Sequence, residues 1–120
     1  LENTGMFRMA LDNYRIASEK EPHNMDHRLN IAELESKVGH DDVAESVLVS
    51  ILAVDRENLR ALRLYASICC GRNDSEAVLA LFDDIFSAVV EEDDVRFFES
   101  ILRDLGENAK ADRIATKLSL

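Results

Sequence analysis

The sequence predicts an all-α protein in which seven helices pair antiparallel and stack as a solenoid. Three observations predict it. Apolar residues recur at three- and four-residue spacing through nearly the whole chain, the period of a helix with one buried face. Strict alternation of the kind that marks a half-buried strand is nowhere sustained, and proline occurs once. Features also return at an interval of 34 residues, as Gly5 and Gly39, Ala10 and Ala44, and Asn24 and Asn58. A period of that size belongs to repeats of a helix-turn-helix unit, each of which buries its apolar face only against its neighbours.

The first helix is expected over 7–20, where Ala10, Tyr14 and Ala17 share a face and Pro22 follows the end. Asn24 is a good N-cap for the second, 25–38, whose apolar set is Leu29, Ile31, Ala32, Leu34 and Val38. Gly39 stops that helix, and Asp41 or Asp42 caps the third, 41–54, with acid in the first turn where the helix dipole favours it. Asn58 caps the fourth, 59–71, with Leu59, Leu62, Leu64, Tyr65, Ile68 and Cys69 as its apolar set. The fifth runs over 74–89. The acidic run 91–94 opens the sixth, 93–105, by the same dipole preference. Gly106 ends it, and Asn108 begins the seventh, 108–118.

The interval carries forward. Tyr14 leads through Leu48 to Phe82, Ala17 through Ile51 to Ile85, and Gly39 to Asn73. With one residue dropped, Asn73 leads to Gly106 and Val78 to Ala111. The turn positions, Gly5 included, are Gly or Asn, the residues that tolerate the left-handed conformation ending a helix. The expected organisation is a single domain over 1–120: a partial repeat 1–24, repeats 25–58 and 59–91, and a terminal repeat 92–120. The start at Leu1, near the end of a preceding helix whose beginning is missing, reads as a piece of a longer protein, with apolar surface exposed around Met6, Phe7 and Met9.

On Ala10, Tyr14, Ala17 and Pro22 the chain resembles the tetratricopeptide repeat family, whose second helix carries a small residue, an aromatic, another small residue and then a proline. The second repeat keeps Ala44, Leu48 and Ile51 but has Arg56 at the proline position. The first-helix pattern shows in Leu62, Tyr65 and Ala66, more weakly in Arg28, Ile31 and Ala32, and the last repeat has Val95 and Phe98 but Glu99 where a small residue belongs. The resemblance implies a right-handed α-α superhelix and a scaffolding or chaperone-linked role in binding peptides.

Composition narrows the partners. A net charge of −10, from 24 acidic and 14 basic residues, disfavours nucleic acid and anionic membranes, which require a basic footprint. No apolar run reaches the length of a membrane span, and Cys69 and Cys70 are adjacent, so they cannot staple a long loop; a reducing, cytoplasmic setting is expected. His23 and His27 are four apart, but Asn24 caps between them, and they read as surface residues rather than zinc ligands; His40 sits in a turn. Asp41 and Asp42, or Asp83 and Asp84, are neighbours that point different ways, with no phosphate loop or nucleophile elbow, so no enzyme activity, metal or cofactor is expected.

The resemblance further implies that the first helix of each pair lines a concave groove. Projected onto this chain, the groove receives Asp26, Leu29, Asn30, Glu33 and Lys37, then Arg60, Arg63, Leu64, Ser67 and Cys70, then Arg96, Phe97, Ser100, Arg103 and Asp104. Asn30, Lys37, Arg60, Arg63, Arg96, Phe97 and Arg103 are the candidate partner-binding residues. Asn30 and Arg60 are similar to the asparagine and basic residue with which some family members hold a peptide carboxylate. The expected partner is a protein or peptide with an acidic or carboxylate-terminated segment, bound by charge-assisted hydrogen bonds. The competing reading pairs these arginines with Glu33, Glu99 and other acids on neighbouring helices. Two further alternatives are a homodimer through exposed repeat ends, and a docking or regulatory domain of a larger enzyme or signalling protein.

Overall fold

The computed structural model describes residues 2–21 and 24–119. Pro22 and His23 therefore lie outside the described residues, as does the side chain of Phe7. The protein is all-α. Among the described residues the order is α1 (Glu2–Lys20), α2 (Met25–Lys37), α3 (Asp41–Val54), α4 (Leu59–Gly71), α5 (Ser75–Ala80), α6 (Phe82–Ala88), α7 (Glu92–Asp104) and α8 (Asn108–Ala115), closed by a 3₁₀ turn over Thr116–Ser119. None of these helices is long and apolar enough to cross a membrane. The chain divides into two compact units, Leu1–Asp55 and Arg56–Leu120.

The turns explain the periodicity. Gly39, Asn73 and Gly106 have φ of 91°, 55° and 80°, the left-handed conformation that ends a helix. Each makes the same pair of bonds. Gly39 N donates to Ser36 O and His40 N to Glu35 O; Asn73 N donates to Cys70 O and Asp74 N to Cys69 O; Gly106 N donates to Arg103 O and Glu107 N to Leu102 O. That is one Schellman closure repeated at intervals of 34 and 33 residues. The cap residues behave similarly. Asn24 Oδ1 accepts from Asp26 N at 3.0 Å and Asn58 Oδ1 from Ala61 N at 3.0 Å.

Other boundaries differ from expectation. Gly5 lies inside α1, not at a turn; no atom crowds it, so the helix runs through at only the propensity cost of a glycine. His40 and Glu107, without side-chain caps, precede α3 and α8, where aspartate and asparagine were expected to cap. The single helix expected over 74–89 is two, because Leu81 N bonds to Val78 O, a tighter i to i+3 turn. Sequence spacing cannot show this break, since Val78, Phe82 and Ile85 stay in helical phase across it and all are buried.

In the first unit α1 packs on α2 and α2 on α3. The recurring positions Ala44, Leu48 and Ile51 are fully buried, whereas their α1 counterparts Ala10, Tyr14 and Ala17 are half-buried. Leu29, projected into a groove, is instead a core residue. Among the described residues, one buried side chain is an acid. The Glu35 carboxylate, 2% exposed, accepts from Arg15 Nη2 at 3.2 Å, with His40 Nδ1 at 3.6 Å. It ties α1 to α2, and an ion so buried persists only with such partners.

In the second unit α4 packs against α5, α6 and α7, and α7 against α8 and the 3₁₀ turn. Leu62, Phe82, Phe98, Leu102 and Ile114 form the centre of its core.

Candidate partner-binding surface

The best-defined polar arrangement on the expected surface sits where α4 meets α7. Helix α7 opens with Glu92, Asp93 and Asp94 in its first turn, stabilised there by the helix dipole. Asp94 faces α4, and Arg63 Nη1 donates to its Oδ1 at 2.8 Å. The Arg63 guanidinium carbon lies 4.3 Å from the centroid of the Phe97 ring, within cation–π range. Phe97 in turn meets Phe98 edge to face, with centroids 5.2 Å apart, and Phe98 is completely buried. Arg63 is thus held by a stack rooted in the core. Arg63 and Phe97 are 34 residues apart, one period of the sequence.

This arrangement can present donors. A guanidinium carries five N–H groups in a fixed fork. Asp94 takes one of them, and the Arg63 side chain remains 41% exposed. A carboxylate or carbonyl arriving from solvent would meet an oriented cation.

The other expected residues are placed differently. Arg96 Nε donates to Glu92 Oε1 at 2.8 Å, one turn back on the same helix. Arg103 bonds Glu99 Oε2 through Nε at 3.3 Å and Nη2 at 2.9 Å, and Asp112 Oδ1 through Nη2 at 2.9 Å. The bond to Asp112, then that to Glu99, raises the Arg103 pKa above its ordinary value. Arg96, Glu99, Ser100, Arg103 and Asp104 line a shallow depression of about 410 Å³. Lys37 pairs with Glu33 at 3.2 Å. Asn30 and Arg60 are not without partners. Asn30 and Lys37 belong to the first unit and the other five to the second.

Four of the five basic residues pair with acids: Arg63 and Arg103 reach an acid on another helix, as in the competing reading, and Lys37 and Arg96 pair one turn away on their own helix. Pairs at i and i+4 on an exposed face contribute only tenths of a kcal/mol, about 0.3–0.5, so they balance charge without locking it. Arg63 both pairs with an acid on another helix and rests on a ring.

Sequence reasoning missed Asp94 as a partner, treating it only as a helix opener. It also left Lys110, Arg113 and Lys117 unread, although their spacing of three and four places them on one helical face. Among the described residues no group of three or more His, Cys, Asp or Glu is arranged to hold a metal. His27 Nε2 lies 3.6 Å from Glu21 Oε1. Neither Cys69 nor Cys70 is in a disulfide.

Compared with known proteins, the chain matches no family model, no curated protein and no solved structure.

Proposed function

We propose that this chain is a non-catalytic, cytoplasmic protein-interaction module of the tetratricopeptide type. It holds a partner segment at the α4–α7 surface, with Arg63 as anchor. The observation that carries this reading is the Arg63 guanidinium stacked over Phe97 and bonded to Asp94, because arginine and aromatic residues held in one geometry are what protein interfaces concentrate their energy on. The three identical helix closures at intervals of 34 and 33 residues support the repeat type. The partner chemistry that fits is a peptide ending in a free carboxylate, which the remaining Arg63 donors can take bidentate.

The test compares a library of neutral-side-chain peptides bearing a free terminal carboxylate with the same library amidated. Capture of the carboxylate forms by the parent, lost in Arg60→Glu, Arg63→Glu with helical content unchanged, is the expected result. Equal capture of amidated peptides, or capture unaffected by the variant, would remove the reading.

A second reading rests on α1. Met6, Met9 and Ile16 lie 68%, 69% and 52% exposed along one stripe. The charges beside that stripe run Arg8, Asp12, Arg15, Glu19, alternating plus and minus, so an antiparallel copy of α1 sets each charge opposite its complement. That order favours a homodimer through α1, and sedimentation of Met9→Lys against the parent tests it: the variant should be monomeric where the parent is not.

A further inference from the structure

A second cationic face exists in the same unit, and its charges are held quite differently. Lys110 and Arg113 on α8, and Lys117 in the closing turn, project at i, i+3 and i+7 over two rings of α6. Lys110 Nζ is 4.7 Å from the Phe82 centroid; Arg113 Cζ and Lys117 Nζ are 5.2 Å and 4.5 Å from that of Phe86. The two rings lie 5.9 Å apart, with Phe82 buried and Phe86 half-buried. Among the described residues none of the three cations is in an ion pair, in a chain carrying 24 acids.

Local structure accounts for part of this. Lys117 donates to Phe86 O and Val89 O, closing the end of α6. Arg113 lies in the last turn of α8, where a cation suits the helix dipole. Lys110 has no such account. It sits in the first turn of α8, where the dipole opposes a cation; the turn itself holds no acid, and Lys110 makes no ion pair with the N-cap residue Glu107. Like charges three and four apart also repel, and an arriving anion would relieve both penalties.

We propose that Lys110, Arg113 and Lys117, set over Phe82 and Phe86, form a second docking surface that takes a short acidic segment of a partner protein. From Lys110 to Lys117 the helical rise covers about 10 Å, the length of about three residues of extended chain. Alternating acidic and aromatic side chains therefore match the cations and the half-buried Phe86. Long polyanions fit worse: at a net charge of −10, a nucleic acid or anionic bilayer would face repulsion from the rest of the surface.

The probe is an amidated eight-residue peptide of alternating Glu and Phe, with the Gln/Phe peptide as control, titrated into the ¹⁵N-labelled chain. Amide shifts confined to 82–89 and 108–118, for the Glu peptide alone, are expected. Lys110→Glu, Arg113→Glu should weaken this binding at least tenfold, and Lys110→Gln, Arg113→Gln should weaken it less. Neither residue is a core residue, so the helical spectrum should stay unchanged in both. Arg63→Glu should leave this binding intact, which separates failure here from failure at α4–α7. Equal binding of the Gln peptide, shifts centred on α4 and α7, or preference for phosphatidylserine vesicles over the peptide would each overturn the proposal.

Discussion

Arg63 and Arg113 are both partly exposed arginines set over phenylalanine in the same unit, yet only Arg63 has a carboxylate. Asp94 orients Arg63 and balances its charge; Arg113 shares Phe86 with Lys117 and has Lys110 one turn away. A ring holds a cation in place but leaves its charge largely uncompensated, whereas a carboxylate does both. The counter-group, more than the number of basic residues, decides which surface can attract an anion. Counting charges along the chain points to the α4–α7 face; following each cation to its partner points equally to α6–α8.

Each face rests on a core ring. Phe98→Ala and Phe82→Ala each remove a buried ring beneath one face, and each should cost about 3–5 kcal/mol in denaturant unfolding. A loss below about 1 kcal/mol in either would mean that face is not rooted in the core. Next, Asp94→Ala removes both the Arg63 partner and a first-turn acid, costing about 1 kcal/mol, with the difference from the parent shrinking as salt is raised. An unchanged melting curve at low salt would show the pair to be ornamental. Phe86→Leu keeps bulk but deletes the ring under two cations, and thermal unfolding should show a loss of about 0.5–1 kcal/mol. The smallest effect is the most diagnostic. Lys110→Glu loses one ring contact but gains a favourable first-turn acid, so stability should stay within about 0.5 kcal/mol of the parent; a loss above 1 kcal/mol would assign Lys110 a structural role.

Much of the fold was legible because its punctuation is chemical. Gly39, Asn73 and Gly106 mark turns that need a left-handed residue, and Asn24 and Asn58 mark caps, so both could be read without knowing the packing. The break at Leu81 was hidden because backbone tightening leaves the apolar phase intact. Glu35 was hidden because burial of a carboxylate depends on Arg15, distant in sequence, and no helical pattern marks a charged residue for the interior. The candidate surface was half legible. Arg63 and Phe97 were selected as facing one groove, but their mutual stacking and the Asp94 bond are tertiary facts, and Leu29 was assigned outward although it packs inward.

In the proposed function, two differently built cationic faces take two different ligands. The most direct measurement adds both probes to one ¹⁵N-labelled sample: the carboxylate-terminated peptide of neutral side chains, and the amidated Glu/Phe peptide. The expected result is two separate sets of shifted amides, one around Arg63 and Phe97 and one over 82–89 and 108–118, with neither peptide displacing the other. Competition between the two peptides for a single set of amides would contradict it.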